Sequence, residues 1–191
     1  MLFPHTASRR IRLRPATTTD RADFFQTVVR AGMGSSRQVA RPTTRVAKPH
    51  AAFLVVLRST DETIGFSTLH TLDPAGHIQC GVYLDPQRAK LGVGSETVQL
   101  TINYAFATLD VDKVITQTTE ASFASFGVTT EDNQASRVQA DHLYFRGQLW
   151  DQYGFHVDRQ EWDDYVDRKA DRVLPSPLEW RAAPHQHFGI R

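Results

Sequence analysis

The chain has one loop whose residue types suit the binding of a phosphate group. Residues 85–94 (Asp-Pro-Gln-Arg-Ala-Lys-Leu-Gly-Val-Gly) join an apolar, strand-like run to a segment with helical periodicity. The N–H groups of a first helical turn lack intrahelical acceptors, and the helix dipole favours negative charge beside them. Gly92 and Gly94 would let a ligand approach the backbone closely, and Arg88 and Lys90 add positive charge. The loop therefore predicts a phosphate site, with a plain strand-to-helix connection as the alternative.

The segments around the loop predict a sheet with one crossover helix. Residues 51–57, 63–72 and 77–84 are apolar, β-branched runs separated by turn residues, and we expect an antiparallel meander. A helix is expected over residues 95–109, and a strand follows at 113–118, which implies a parallel crossover. The helix has an apolar stripe at Val98, Ile102, Ala105, Phe106 and Leu109.

The two ends of the chain extend this pattern. Residues 11–14 predict a short strand, and Asp20 is a candidate cap for a helix that follows. Residues 34–50 carry five basic side chains and no acid, which suits either a solvated loop or a flap over an anionic ligand. Beyond the crossover we expect a helix over 133–143 and strands over 145–153 and 161–167. The expected organisation is a lead-in at 1–9, a domain at 10–168 and a tail at 169–191.

Composition limits the classes of function. The 191 residues suit a single domain, and a net charge of +1 argues against wholesale binding of nucleic acid or an anionic membrane. Cys80 is the only cysteine, so neither an intrachain disulfide nor a cysteine zinc site is expected. No apolar run approaches the roughly 20 residues of a membrane helix. The N-terminus lacks a signal-peptide pattern, so a cytoplasmic protein is expected.

Read in order, these motifs resemble the GNAT superfamily of acyl-CoA-dependent N-acyltransferases, and within it the ribosomal-protein N-acetyltransferases of the RimJ/RimL type. The resemblance covers residues 10–168. It rests on an ordered set of segments: Arg12-Leu13-Arg14-Pro15-Ala16 with Asp20, Gly81-Val82-Tyr83-Leu84-Asp85-Pro86, residues 87–94, Asn103-Tyr104-Ala105-Phe106, Asp132-Asn133-Gln134-Ala135-Ser136, Leu143-Tyr144-Phe145, and residues 147–153.

The resemblance implies an α/β (α+β) fold. The expected core is a mixed, mostly antiparallel sheet of about seven strands, flanked by helices and splayed between the fourth and fifth strands. It also implies transfer of an acyl group, acetyl first of all, from acetyl-CoA to a primary amine, without a metal. The acceptor would be a small molecule or a peptide N-terminus, and the protein a monomer or homodimer. A GNAT-fold enzyme with altered chemistry and a non-catalytic acyl-CoA-binding module are the alternatives.

The resemblance also implies which residues hold the cofactor. The pantetheine arm would pair with the strand before the loop, the loop would cradle the pyrophosphate, and Asn133 would reach the pantetheine. The expected cofactor contacts are Val82, Tyr83, Leu84, Arg88, Lys90, Leu91, Gly92, Val93, Gly94, Ser95 and Asn133. Four positions depart from the family pattern: Gln79 replaces a common acid, Ala89 a basic or amide side chain, Lys90 a glycine and Ala140 a tyrosine.

For the chemistry, Glu120 is the candidate base, although it could equally be a solvated loop carboxylate; Glu131, Asp132, Asp151 and His142 are weaker choices. The family match makes Ser136 the proton donor to the thiolate. The N–H of Val82 or Tyr83 is the candidate oxyanion donor.

Several other residues have two interpretations. The four aromatic residues Phe123, Phe126, Trp150 and Tyr153 would line the acceptor pocket or belong to the core. Cys80 is expected to be a small buried hydrophobe, and His70 and His77 are expected at the surface.

Overall fold

The computed structural model describes residues 2–20, 49–85, 88–89, 92–118, 137–145 and 148–173. For residues 117–118, 137–145, 148–153 and 169–173 it describes the backbone alone. The helix expected after Asp20, the basic loop, the segment 121–130 and most of the C-terminal tail lie outside these ranges.

A mixed seven-stranded sheet forms the centre of the fold. Its spatial order is β1-β2-β3-β4-β5-β7-β6, and of its six pairings only β4 with β5 is parallel. The strands are β1 (Ile11–Pro15), β2 (Ala51–Leu57), β3 (Thr63–His70), β4 (His77–Leu84), β5 (Lys113–Thr118), β6 (Arg137–Phe145) and β7 (Gln148–Asp158). The helices of the described residues are α1 (Val93–Thr108), α2 (Arg159–Val173) and a short 3₁₀ helix (Thr18–Asp20). The expected fold class is confirmed.

Both α-helices pack on the same face of the sheet. Ile78 and Cys80 of β4 meet Ile102 and Phe106 of α1, and Trp162 of α2 closes the same core. The side chains of a strand alternate between faces, and the strand residues of this core are Leu69, Ile78, Cys80, Val114, Phe155 and Val157. The N-terminal segment also lies on this side, where Asn103 Nδ2 donates a hydrogen bond to the carbonyl oxygen of Phe3 at 2.7 Å.

Arg159 binds the carboxyl end of α1. Its guanidinium donates hydrogen bonds of 2.6 to 3.1 Å to the carbonyl oxygens of Phe106, Leu109 and Val111. It also lies 5.1 Å from the centroid of the Phe106 ring. The last carbonyls of a helix lack intrahelical donors, and a cation there suits the helix dipole. Arg159 therefore couples the start of α2 to the end of α1.

The opposite face of the sheet is apolar at one side and polar near its centre. Leu54, Val56 and Phe66 form a small buried cluster, against which Ala16 packs. Toward the centre, β3 and β4 place Thr68, His70, Gln79 and Tyr83 on this face, and all four are partly buried.

The helix expected over residues 133–143 is wrong where the structure describes it. Residues 137–143 belong to strand β6, which runs antiparallel to β7 with an irregularity between Gln139 and Leu143. His142 and Ala140 therefore lie on a strand. The apolar spacing was compatible with either structure, and pairing with the long strand β7 decides between them. The expected single strand over 145–153 is likewise two strands, β6 and β7.

The strand expected over residues 161–167 is also wrong, because these residues lie in helix α2. At the start of this helix the N–H of Asp158 donates to Glu161 Oε2 at 3.2 Å, which is one of the two hydrogen bonds of a capping box. Trp162, Tyr165 and Val166 have the spacing of one helical face and pack on the core.

Candidate functional site

Strands β4 and β5 separate halfway along β4. Their pairing runs from His77↔Lys113 to Cys80↔Thr116, whereas β4 stays paired with β3 as far as Leu84↔Gly65. Gly81–Leu84 thus has a strand partner on one side only among the described residues. Strand backbone groups that face such an opening are available to pair with an extended ligand. The predicted cofactor residues Val82, Tyr83 and Leu84 all line this opening.

The amino end of α1 follows directly from the open end of β4. Gly92 is the N-cap with φ of 83°, and no side chain caps the helix there. The Val93 side chain is buried, so only its backbone faces a ligand at this turn. Ser95 Oγ donates a hydrogen bond to the Gly92 carbonyl oxygen at 2.9 Å. The structure therefore brings four predicted cofactor residues, Gly92 to Ser95, to a helix N-terminus beside the opening.

A side chain from the start of the sheet covers Gly92. A Cβ at Gly92 would meet the Arg10 guanidinium, with Nη1 at 2.9 Å and Cζ at 3.0 Å. Arg10 Nε in turn donates to Glu96 Oε1 at 2.6 Å, and Ser8 Oγ donates to Glu96 Oε2 at 2.5 Å. Burial opposes ionisation of Glu96, but these hydrogen bonds and the Arg10 charge lower its pKa. Arg10 therefore lies beside the loop with its charge shared with Glu96, a contact that no local pattern in the sequence predicts.

Arg88, which also belongs to this loop, is held by two carboxylates. Its guanidinium pairs with Glu62 Oε1 at 2.9 Å and Asp85 Oδ2 at 3.4 Å. The Asp85 carbonyl oxygen accepts the N–H groups of Arg88 and Ala89, which closes a turn after β4. Arg88 is thus near the predicted phosphate site, with its charge shared between two carboxylates. Lys90 and Leu91 lie outside the described residues.

Tyr83 folds back over the residue at which the strands separate. A Cβ at Gly81 would lie 3.0 Å from Thr68 Oγ1 and 3.1 Å from Tyr83 Cε2 and Oη, so the phenol packs directly over this glycine. Burial, with a smaller contribution from Cys80, raises the pKa of Tyr83. The phenol therefore keeps its proton at neutral pH.

His70 lies on the same face, one strand away. It pairs with Gln79 in the β3–β4 register, and the Gln79 side chain hydrogen-bonds it. Its Nδ1 is 3.4 Å from Thr68 Oγ1. Burial lowers the pKa of His70, in spite of the opposing bond from Gln79. His70 was expected at the surface, whereas it is half-buried opposite Gln79, two residues before Gly81; this position follows from the strand register alone.

The remaining predicted site residues are placed in part or not at all. Trp150 and Tyr153 lie on β7, where they pair with Leu143 and Val138 of β6. Asp151 is on the same strand. The predicted residues outside the described ranges are Glu120, Phe123, Phe126, Glu131, Asp132, Asn133 and Ser136.

Cys80 is buried in the main core, as expected of a small hydrophobe. Burial raises the pKa of its thiol to about 12, so it is not a thiolate nucleophile at neutral pH.

An open groove of about 420 Å³ lies on the helical face, between the N-terminal segment, α1 and α2. Burial lowers the pKa of His5 in this groove and raises that of Tyr165. Its polar lining comprises His5, Ser8, Glu96, Gln99, Asn103, Trp162 and Tyr165.

The sequence profile of the acetyltransferase (GNAT) domain matches residues 10–137, about two thirds of the chain. The chain therefore belongs to the GNAT acetyltransferase family. No curated protein matches the sequence significantly.

Solved structures share the fold at low identity. A GCN5-related N-acetyltransferase from Brucella melitensis is 17% identical with a TM-score of 0.57, over 89% of this chain and 85% of that one. The dodecameric spermidine N-acetyltransferase from Vibrio cholerae is 12% identical with a TM-score of 0.62, over 84% and 99%. RimL, a ribosomal L7/L12 α-N-protein acetyltransferase solved with coenzyme A, is 14% identical with a TM-score of 0.57, over 79% and 95%.

The described residues contain no cluster of histidine, cysteine and acidic side chains suited to a metal ion. Within the same ranges, no helix is long and apolar enough to cross a membrane.

Proposed function

We propose that this protein is an acyl-CoA-dependent N-acyltransferase that transfers an acetyl group to a primary amine. The observation that carries the proposal is the coincidence of two features. The β4–β5 pairing ends at Cys80↔Thr116, and the uncapped amino end of α1 follows the open part of β4 after a short loop. The first feature suits an amide-rich chain and the second suits a phosphate group.

In this proposal the pantetheine arm adds to β4 as a short strand. Its amides pair with backbone groups of Val82 to Leu84 that face away from β3. The same geometry carries the thioester toward Cys80 and Gly81, where the strands join again. The N–H of Val82 or Tyr83 is then the candidate donor to the thioester oxygen, because it is fixed by the sheet before the ligand binds.

The pyrophosphate would lie against the first turn of α1. Backbone N–H groups of Val93, Gly94 and Ser95 have no intrahelical acceptor in such a turn. A Cβ at Gly94 would meet only Leu84 Cδ1, at 3.8 Å, among the described atoms, and a glycine there would let a ligand approach the backbone closely. Arg10 lies beside Gly92 with its charge paired to Glu96, and Ala89 offers no charge to the pyrophosphate.

The reaction is direct attack in a ternary complex. The neutral amine nitrogen forms a bond to the acetyl carbonyl carbon and loses one proton, the carbon–sulfur bond breaks, and the thiolate of coenzyme A takes up one proton. Glu120 as base, Ser136 as proton donor and Asn133 as a pantetheine contact stay proposals from the family pattern. Phe123, Phe126, Trp150 and Tyr153 stay proposals for the acceptor pocket.

The acceptor is proposed to be a small-molecule amine or a peptide N-terminus. Membership of the RimJ/RimL branch would favour the peptide, and the spermidine enzyme among the structural neighbours would favour the small molecule. A cytoplasmic location and a monomeric or homodimeric state belong to the same proposal.

Two measurements test the proposal in sequence. Calorimetric titration with acetyl-CoA should show saturable binding, and a thiol-release assay should then show turnover with at least one amine of a panel. The panel includes spermidine, an aminoglycoside and short peptides with free N-termini. Binding without turnover on any amine would favour a non-catalytic module or altered chemistry. Failure to bind any CoA ester would overturn the proposal.

A further inference from the structure

The sheet face opposite α1 and α2 carries a histidine, His70, that the proposed reaction does not use. His70 is the last residue of β3, and its neighbour Leu69 points into the core beneath α1. Because side chains alternate along a strand, His70 points to the opposite face, as do Thr68 and Phe66. It is therefore screened from the core and lies on the side of the sheet away from α1 and α2.

The register places this histidine beside the point at which the strands separate. His70 pairs with Gln79 and Thr68 pairs with Gly81, and Gly81 is the first residue of β4 beyond the last β4–β5 pair. Directly opposed Cβ atoms of neighbouring strands are about 5 Å apart, and diagonal ones about 7 Å. Thr68 Oγ1 and the Tyr83 phenol lie over Gly81 on this face, so the imidazole at position 70 faces the opening across these two hydroxyl groups.

Two neighbours hold the imidazole without charging it. Its Nδ1 is 3.4 Å from Thr68 Oγ1, and the Gln79 side chain hydrogen-bonds it from the facing strand. A carboxamide offers both a donor and an acceptor, so it can support either protonation state of the ring. A glutamate at position 79 would instead have stabilised the imidazolium.

The ionisable groups on the same face leave His70 predominantly neutral. The described ones are Arg12 and Arg14 on the edge strand β1, His50 before β2, His77 and Tyr83 on β4, Lys113 on β5, and His156 and Asp158 on β7. Lys113 Nζ is paired with Asp158 Oδ1 at 3.1 Å, and His77 Nδ1 with Asp73 Oδ2 at 3.2 Å. Burial lowers the pKa of His70, so at pH 7 it is a base without a proton.

We propose that His70 is the proton acceptor for the amine substrate, positioned by Gln79 at the separation of β4 and β5. The inference rests on the proposed acyl transfer. The incoming ammonium group gives one proton to the imidazole, and its nitrogen attacks the thioester carbonyl carbon. The carbon–sulfur bond breaks, the nitrogen loses its second proton, and the thiolate takes up one proton and leaves as the thiol. The imidazolium then releases its proton to solvent, so one proton is released for each amide formed from an ammonium ion.

The test compares His70→Gln with the matched variant His77→Gln. Both remove an imidazole from the same face of the sheet, but His77 lies seven residues before Leu84 at the closed end of β4. His70→Gln should lower kcat by about 10²-fold with the KM for acetyl-CoA unchanged, and His77→Gln should leave both constants unchanged. The acid limb of the pH–rate profile, below about pH 6.5, should vanish in His70→Gln only. Added imidazole should restore part of the rate of His70→Ala.

A measurement on the unmodified protein covers the case in which the variants fail to fold. The His70 imidazole is titrated by NMR, and its midpoint should coincide with the acid limb of kcat/KM. A midpoint more than one pH unit away would overturn the assignment.

Failure of this inference differs from failure of the proposed function. If the unmodified protein releases thiol and His70→Gln keeps the rate and the acid limb, the role of His70 is refuted and acyl transfer stands. Loss of the acid limb in Glu120→Gln instead would assign the base to Glu120 and likewise refute it. If the unmodified protein binds no CoA ester and releases no thiol with any amine, both proposals fall together.

Discussion

Replacement of Gly92 by alanine should destabilise the fold, whereas the same change at Gly94 should not. Gly92 has φ of 83°, a left-handed conformation that costs an L-residue about 1–2 kcal/mol. The new Cβ would also displace the Arg10 guanidinium and weaken its exposed ion pair with Glu96, which is worth at most about 1 kcal/mol. We therefore expect Gly92→Ala to lower the free energy of unfolding by about 2 kcal/mol.

Gly94 is the matched control because it lies in the same helical turn without either constraint. Its Cβ would meet only Leu84 Cδ1, at 3.8 Å, among the described atoms. Alanine is also the better helix former, so Gly94→Ala should leave the stability unchanged or raise it by up to about 1 kcal/mol.

The assay is equilibrium unfolding in urea, with thermal unfolding as a second readout. For a chain of this size, about 2 kcal/mol corresponds to a fall of Tm of roughly 4–8 °C. The double variant Arg10→Ala/Gly92→Ala separates the two causes, because the steric part should disappear and the strain should persist. A Gly92→Ala protein as stable as the unmodified one would refute the left-handed cap.

The cofactor prediction is then tested on the stable variant: Gly94→Ala should weaken acetyl-CoA binding by about tenfold, and Gly94→Val should abolish it.

Three further predictions concern stability and reactivity. Arg159→Met should lower the free energy of unfolding by about 3 kcal/mol, because the carbonyls at the end of α1 lose charged donors; the exposed Arg168→Met is the control, and equal urea midpoints for the two would contradict the role of Arg159. Cys80 should react with a thiol reagent only as fast as the protein unfolds, since burial raises its pKa to about 12; rapid labelling of the folded protein at pH 8 would contradict this. Burial lowers the pKa of His5 and His70 in the folded state, so the unfolded chain binds more protons; stability should be full above pH 6.5 and fall as pH drops through the folded values. Urea midpoints from pH 7.5 to 5 should show that fall, and a His5→Gln/His70→Gln variant with the same slope would contradict it.

The part of the fold that local patterns determine was predictable. The stripe of Val98, Ile102 and Phe106 predicted α1, and turn residues such as Gly76 marked the hairpins of the meander. The expected parallel pairing of β4 with β5 followed from the crossover helix between them. Family resemblance then located the separation of these strands, which is a property of the sheet and not of any one segment.

Prediction failed where tertiary pairing overrides the local signal. Residues 137–143 have a spacing that a helix could use, but β7 offers them a strand to pair with. For α2, the local signal existed in the cap of Asp158 and Glu161, and the expectation of a strand overlooked it.

The backbone conformation of the candidate site was predictable from the sequence, whereas its side-chain contacts were less predictable. Gly92 to Ser95 carry their own signal, a glycine-bearing turn before a helix. Arg10 and Glu96 are 86 residues apart, and His70 faces Gln79 only because of the strand register. No periodicity or motif encodes such contacts, so they required the assembled sheet.

Amide hydrogen exchange of β4, with and without acetyl-CoA, tests the central claim most directly. The amides of Gly81–Leu84 that point toward β3 are internal controls, because their strand pairing protects them in both states. If the pantetheine arm adds to β4 as a strand, those amides that point into the opening should exchange at least tenfold more slowly at saturating acetyl-CoA. Binding of acetyl-CoA with unchanged exchange at Gly81–Leu84 would contradict the account.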